Sequence, residues 1–155
     1  MDMAVKSKKR LIVIGGPTGV GKSAIAYNIA LKIRGEVISA DSMQFYREIN
    51  IGTDKVPLWM QKKVPHHLIN FLSIRDEFDL YQFIGLATEK IKEISEKGNT
   101  PIVVGGSGLY LRGLLKGIFN MPEEKRGKQK EIRSALEKEK TDILYQALQK
   151  VDPCT

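Results

Sequence analysis

The sequence has little cysteine, few aromatic residues and no long apolar run. Cys154 is the one cysteine among 155 residues, so an internal disulfide is excluded and a reducing compartment is favoured. The longest apolar stretches fall well short of the roughly 18 residues that a membrane-spanning helix needs. Residues 11–14, which follow a basic start, are also too few for the apolar part of a signal peptide. We therefore expect a soluble, cytoplasmic protein.

Positive charge is what the sequence has in excess. It holds 25 lysine and arginine residues against 18 aspartate and glutamate residues, a formal net charge of +7. Such a balance suits RNA or an anionic cofactor and does not choose between them. An apolar share of 42% in 155 residues is that of a globular chain with a sizeable core.

Short β-branched runs alternate with amphipathic helical patterns along the chain. Strands are predicted at residues 11–14, 36–40 and 101–104, with a further candidate at 67–69. Helices are predicted at 23–33, 80–97 and 109–115, and Asp79 and Gln82 form a capping box before the second of them. This alternation predicts an α/β fold with a parallel sheet flanked by helices. Residues 1–118 are expected to form that core, and the charged residues 119–155 to begin a separate helical part.

Residues 16–23 match the phosphate-binding P-loop in full and lie between a predicted strand and a predicted helix, as the motif requires. The loop's N–H groups and the helix N-terminus would surround phosphate oxygens, the lysine would add a charge, and the last hydroxyl would ligate Mg²⁺. The predicted phosphate-binding residues are Gly16, Pro17, Thr18, Gly19, Val20, Gly21, Lys22 and Ser23, the last also as the metal ligand. Taken alone, the motif indicates ATP binding or another nucleotide.

Two more predicted strands end in residues that suit a ligand site. Asp41 follows the strand at 36–40, and ligands gather at the carboxyl ends of parallel strands. Its carboxylate would hold Mg²⁺ or accept a proton, and the alternative is an aspartate that caps a turn. Residues 105–108, Gly-Gly-Ser-Gly, place the hydroxyl of Ser107 at a helix start, where an ordinary N-cap is the alternative.

His66 and His67 are adjacent in a predicted extended segment. Adjacent side chains of a strand point to opposite faces, so the two rings cannot easily share one metal ion. No spacing of cysteine and histidine typical of zinc occurs. A structural role for both is the favoured interpretation.

The P-loop and four other segments, in this order and spacing, resemble the tRNA dimethylallyltransferase (tRNA isopentenyltransferase) family. The four segments are Asp-Ser-Met-Gln-Phe-Tyr-Arg at 41–47, Ile-Gly-Thr-Asp-Lys at 51–55, Pro-His-His-Leu-Ile at 65–69 and Val-Gly-Gly-Ser-Gly-Leu-Tyr-Leu at 104–111. Residues 148–153 are similar to a stretch in the family's helical insertion. The resemblance spans nearly the whole chain, but family members run about twice this length, so the chain is expected to be a truncated N-terminal portion.

The resemblance implies an enzyme that moves a dimethylallyl group from dimethylallyl diphosphate to the exocyclic amine of the adenine 3′ of the tRNA anticodon. The P-loop would then hold the donor's diphosphate with Mg²⁺, and residues 119–155 would begin a tRNA-binding insertion. By resemblance the catalytic residues are Asp41 as the base, Lys22 and Ser107. The tRNA contacts implied in the same way are Asp41, Ser42, Met43, Gln44, Ser107 and Arg133.

Two positions depart from the family pattern: Ser107 stands where most members carry threonine, and Asn70 where aspartate is common. The expected partners are the tRNA anticodon stem-loop and dimethylallyl diphosphate, with no membrane, and a monomer is expected. A P-loop kinase of small molecules or nucleotides, an adenylate isopentenyltransferase and a diphosphate-binding module without chemistry remain as alternatives. The 155-residue chain alone is expected to bind tRNA weakly and to turn over little.

Overall fold

The computed structural model describes residues 10–117 and 123–152, with the backbone alone at 123–126 and 130. Cys154 and the basic residues before Arg10 lie outside the described residues. The chain divides into two compact units, Met1–Ile118 and Phe119–Thr155. No helix in the described part of the chain is long and apolar enough to cross a membrane.

The first unit is built on a four-stranded parallel sheet in the order β1-β4-β2-β3. Its strands are β1 (Ile12–Gly15), β2 (Gly35–Ser39), β3 (His66–His67) and β4 (Thr100–Gly105). Its helices are α1 (Lys22–Ile33), α2 (Leu58–Lys63), α3 (Leu80–Glu96) and α4 (Gly108–Lys116), with a 3-10 helix at Ser42–Gln44. The predicted α/β fold with a parallel sheet is confirmed.

The core lies on both faces of the sheet, which explains why every residue of β2 and all but the first residue of β4 are buried. On one face, Ala26 and Ala30 of α1 pack with Val37, Ile102 and Val104. The other face carries a second cluster, in which Phe83, Ala87 and Ile94 of α3 pack with Ile38, Ala40 and Val103. Both helices are thereby fixed to the two central strands.

Phe45 anchors the segment that follows β2. Its side chain is 1% exposed and contacts the rings of Phe71, Phe78, Phe83 and Tyr110, with centroids 5.3 to 5.8 Å apart. Each aromatic pair of this kind adds about 0.5–1.5 kcal/mol beyond the area that it buries. The chain just after Asp41 is therefore held firmly in place.

Two short elements differ from the sequence prediction, and one local motif agrees with it. Helix α2 was not predicted, because six residues without a capping side chain give no clear periodic signal. Strand β3 spans His66–His67 rather than residues 67–69, because Leu68 has a left-handed φ of 57° that ends the extended backbone. At α3 the predicted capping box is confirmed: Gln82 N donates to Asp79 Oδ1 at 2.8 Å and Asp79 N donates to Gln82 Oε1 at 2.9 Å.

The second unit contains the helices α5 (Glu123–Leu136) and α6 (Thr141–Val151). Arg133 of α5 donates from Nε to Glu137 Oε1 at 3.0 Å, one turn along the same helix. Both side chains are exposed, so this pair contributes little to stability.

Candidate functional site

The P-loop connects β1 to α1, and its backbone conformation depends on glycine. Gly19 and Gly21 both have φ of 83°, a left-handed value that residues with a side chain adopt only with strain. A Cβ at either position would meet no atom within 4 Å, so the conformation rather than the available space requires glycine. Gly21 is the N-cap of α1, so the first N–H groups of that helix open towards the loop.

Lys22 lies over the P-loop. Its Nζ donates to the carbonyl oxygen of Pro17 at 2.6 Å, which holds the ammonium group above the loop's backbone. Gly106 lies close to the same loop, because a Cβ built there would be 3.4 Å from Gly16 O, 3.8 Å from Thr18 Oγ1 and 3.9 Å from Lys22 Nζ. The two glycine-rich turns that the sequence singled out are therefore in contact.

The ends of β2 and β4 approach each other more closely than a side chain would permit. A Cβ on Gly105 would lie 2.2 Å from the carbonyl oxygen of Ala40, and Ala40 N donates to Val104 O at 2.7 Å. Asp41, the next residue, is thus brought to the same sheet edge as the P-loop. The predicted placement of Asp41 at a strand end is confirmed.

Asp41 fits both interpretations that the sequence left open. Its Oδ1 accepts a hydrogen bond from Met43 N at 3.1 Å, so the carboxylate caps the 3-10 helix Ser42–Gln44. The same half-buried side chain also lines the cavity described next. Local capping uses one carboxylate oxygen and leaves acceptor capacity for a ligand.

A cavity of about 260 Å³ brings these elements together. Thr18, Lys22 and Ser23 of the P-loop line one part of it, and Asp41 lines another. Apolar side chains complete the wall, among them Val37, Val56 and Met60. The arrangement offers phosphate-binding groups, one carboxylate and an apolar surface within a single pocket.

Gln44, one of the predicted tRNA contacts, is buried and uses its side chain inside the protein. Its Oε1 accepts from Ser39 Oγ at 3.2 Å, and its Nε2 donates to the carbonyl oxygens of Thr53 at 3.4 Å and Asp54 at 3.2 Å. At 7% exposure the amide joins the end of β2 to the segment that forms the cavity wall. This geometry indicates a positioning role, and direct tRNA contact stays a prediction.

Lys55 is a cavity residue that the sequence argument did not single out, although it ends one of the family-like segments. Its Nζ donates to Tyr46 O at 2.5 Å, to Asn70 Oδ1 at 2.6 Å and to Asn50 Oδ1 at 3.1 Å. Burial lowers the pKa of Lys55, and the charge of Glu48 opposes that shift. The unusual Asn70 thus keeps a hydrogen bond to the ammonium group without the charge that an aspartate would bring.

His66 and His67 serve different faces of the sheet, as predicted. The parallel register sets His66 opposite Val37 and His67 opposite Ile38. His66 lines the cavity and donates from Nδ1 to Val64 O at 2.7 Å, while burial lowers its pKa. His67 Nε2 lies 2.6 Å from Glu36 Oε2.

Glu36 is 5% exposed and also accepts from Asn99 Nδ2 at 2.7 Å. Burial alone would raise the pKa of Glu36, but the hydrogen bonds from Asn99 and His67 outweigh it and the pKa is lowered. Within residues 10–117 and 123–152, no group of three or more histidine, cysteine, aspartate or glutamate side chains is placed to hold a metal ion.

The remaining predicted contacts are not among the residues that line the described cavity. Ser107 is the N-cap of α4, is half-buried and is not among the residues that line the described cavity. Met43 is 49% exposed, and Ser42 is half-buried beside it. Arg133 belongs to the second unit. Their roles towards tRNA stay predictions.

Comparison with known families identifies this combination of elements. The model of the family described as IPP transferase matches residues 44–155, and that of isopentenyl transferase matches residues 9–69. Among curated relatives, a tRNA dimethylallyltransferase of Chlorobaculum parvum is 44% identical over 95% of this chain and 47% of its own length. One of Aquifex aeolicus is 46% identical over 93% of this chain and 47% of its own. The chain thus spans about half the length of the curated relatives that it matches.

Solved structures show the same relation. A tRNA delta(2)-isopentenylpyrophosphate transferase from Staphylococcus epidermidis matches with a TM-score of 0.68 and 38% identity, over 92% of this chain and 47% of that one. A eukaryotic dimethylallyltransferase, described as acting on tRNA, matches with a TM-score of 0.73 and 36% identity, over 94% of this chain and 36% of that one.

Proposed function

The chain belongs to the IPP transferase family, and from that premise we propose that it carries the donor site and the catalytic base of a tRNA dimethylallyltransferase. The proposed reaction moves a dimethylallyl group from dimethylallyl diphosphate to the exocyclic amine of the adenine 3′ of the anticodon. One observation carries the proposal: Lys22, Ser23 and Asp41 line the same cavity, together with apolar side chains. Because tRNA is the proposed acceptor, we place the activity in the cytoplasm.

The proposed chemistry uses the phosphate-binding groups of the P-loop and the carboxylate of Asp41. The bond between the allylic carbon and the diphosphate breaks, and a bond from the adenine nitrogen to that carbon forms. Negative charge grows on the leaving diphosphate, where Lys22 and the N–H groups at the start of α1 stabilise it. Asp41 accepts the proton that the amine loses. The apolar wall at Val37, Val56 and Met60 suits the five-carbon group.

The residues present fit Mg²⁺ held together with the donor. The described residues offer the Ser23 hydroxyl in the cavity, without a cage of protein carboxylates, and Asp41 is kept as the base. Magnesium usually takes one or two protein ligands and completes its shell with phosphate oxygens and water. When bound there, Mg²⁺ would neutralise charge on the diphosphate.

For the tRNA side, we propose that Ser42, Met43 and Ser107 meet the acceptor near the cavity mouth, and that Arg133 contributes from the second unit. The exposure of Met43 and the unused hydroxyl of Ser107 at the start of α4 support this. We assign Gln44 to holding the cavity wall, on the strength of its three internal hydrogen bonds.

The test replaces Asp41 by asparagine. Asparagine keeps an oxygen that can accept from Met43 N, so the cap persists while the base is lost. With labelled dimethylallyl diphosphate, Mg²⁺ and unmodified tRNA, Asp41→Asn should slow transfer by about 10²–10⁴-fold. Asp76→Asn is the matched control, because Asp76 caps an exposed turn through Ser73 N at 2.7 Å and does not line the described cavity. Undiminished transfer by Asp41→Asn would remove Asp41 as the base.

The same assay, with ATP as the donor, tests the kinase alternative. ATP offered in place of dimethylallyl diphosphate should lose no terminal phosphate to a small molecule or nucleotide. Phosphate transfer from ATP, with no response to the prenyl donor, would contradict the proposal. AMP offered beside tRNA distinguishes a tRNA prenyltransferase from an adenylate isopentenyltransferase, which would modify the AMP.

A further inference from the structure

Helix α2 presents an exposed aromatic residue and two exposed lysines on one face. Trp59 is 55% exposed, although its ring meets Tyr27 of α1 edge to face with centroids 5.6 Å apart. Lys62 and Lys63 follow three and four residues later, a spacing that sets side chains next to one another on a helix. We refer to Trp59, Lys62 and Lys63 as the α2 face.

The charge of the α2 face is not compensated locally. Neither of its lysines makes an ion pair with any described residue, whereas Lys90 and Lys92 of α3 pair with Glu93 and Glu96 at 2.9 and 4.0 Å. Residues 55–75 contain no aspartate or glutamate. An uncompensated positive surface of this kind attracts polyanions.

The α2 face borders the candidate site. Pro57 and Met60, which flank Trp59 in the sequence, both line the cavity, and Trp59 does not. A group bound on Trp59 would therefore lie beside the cavity rather than inside it. The exposed ring therefore lies beside the cavity that, in the proposed reaction, takes the acceptor base.

We propose that the α2 face binds single-stranded RNA and holds a nucleotide close to the one whose base enters the cavity. An exposed indole ring stacks with any base, and two ammonium groups one helical turn away reach the phosphates that flank that base. An acidic protein would also match the charge and can pack on an indole ring, and RNA is favoured because the face borders the cavity of the proposed reaction. The identity of the RNA as tRNA rests on the proposed function, whereas the exposure and charge of the face do not.

The experiment uses the fact that Trp59 is the one tryptophan of the chain. Titration with an unmodified anticodon stem-loop RNA should quench its fluorescence. Trp59→Leu should weaken binding of the labelled RNA by about 5- to 150-fold, and Trp59→Phe, which keeps a ring, by less. Replacing Lys62 and Lys63 together by glutamine should reduce the slope of log affinity against log salt by about 1.4. The matched control, Lys90→Gln with Lys92→Gln on α3, should leave that slope unchanged.

Several results would overturn the inference. RNA that binds without changing the fluorescence of Trp59, or that binds the Trp59→Leu variant with undiminished affinity, would place the contact elsewhere and leave the proposed transfer intact. If poly-glutamate quenched the fluorescence of Trp59 equally, the α2 face would bind polyanions through charge alone, or would bind an acidic protein. No RNA binding even at low salt would also refute it. Calorimetry measures the binding of inorganic pyrophosphate and of dimethylallyl diphosphate to each variant. This control shows, independently of RNA binding, whether the variant is folded and whether its donor site is intact.

Discussion

Replacement of Gly105 by alanine should disturb both the fold and the site. The new Cβ would lie 2.2 Å from Ala40 O, 2.5 Å from Ala40 C and 2.8 Å from Ala40 Cβ. An ordinary carbon–oxygen contact is about 3.3–3.6 Å, so β2 and β4 must separate by roughly 1 Å at this point. The atoms involved are the backbone and the Cβ of Ala40, the buried residue directly after β2, so no flexible side chain can move aside.

The expected loss of stability is about 2–4 kcal/mol. Overpacking of a core position costs about 1–3 kcal/mol, and separation of the strands also weakens the hydrogen bond from Ala40 N to Val104 O, which contributes about 1 kcal/mol. Small domains are stable by about 5–15 kcal/mol, so the variant should still fold at low temperature. Because Gly106, the residue after Gly105, lies against the P-loop, the affinity of the Gly105→Ala variant for pyrophosphate should fall as well.

Urea unfolding, followed by the fluorescence of Trp59, measures this loss. Gly85→Ala is the matched control, because Gly85 lies inside α3 and a Cβ there would meet nothing within 4 Å. In a helix interior alanine is favoured over glycine by about 0.5–1 kcal/mol, so this variant should be slightly more stable than the parent. A Gly105→Ala variant as stable as the parent would show that the strands are not held at the distance that the argument requires.

Two further predictions concern buried polar groups. Gln44→Leu should destabilise the protein by about 2–3 kcal/mol and weaken donor binding, because Ser39 Oγ and the carbonyl oxygens of Thr53 and Asp54 lose their partner. Urea unfolding measures the loss of stability, and calorimetry measures the binding of the donor. Unchanged donor binding would contradict the positioning role of Gln44. Glu36 has a pKa below its ordinary value of 4.5, so its stabilising contribution is present above that pH and is lost as the pH falls through the lowered pKa. The stability difference between the parent and Glu36→Gln should therefore shrink on acidification below about pH 4.5, and a constant difference from pH 7 to pH 3 would refute the linkage.

The parts of this molecule that the sequence predicts well are those in which a local pattern determines the conformation. The P-loop requires left-handed backbone at Gly19 and Gly21. The β-branched run before it and the helical periodicity after it predict that the loop connects a strand to a helix. The capping box at Asp79 is local in the same way. In each case the residues that specify the structure lie within a few positions of one another.

The parts that the sequence predicts poorly depend on contacts between distant segments. Gln44 lies five residues after Ser39 and about ten before the carbonyl groups that its amide binds, so no periodicity reveals it as a bridge. Lys55 meets Asn70, fifteen residues on, only because both segments fold over the end of the sheet. Strand order is also non-local, since β4 inserts between β1 and β2.

Asp41 shows why a local interpretation and a functional one need not compete. The carboxylate that caps the 3-10 helix is fixed in direction by Met43 N, and that same fixed direction is what a general base needs if it is to meet an amine in one geometry. Phe45, buried among four rings two residues later, prevents the capped turn from shifting. A capping aspartate at the end of a buried strand, with a cavity beside it, thus suits the role of base that we propose for Asp41. Substitutions that loosen the turn without touching the carboxylate, such as Phe45→Leu, should lower the rate of transfer more than the affinity for pyrophosphate, because the P-loop lies outside the aromatic cluster.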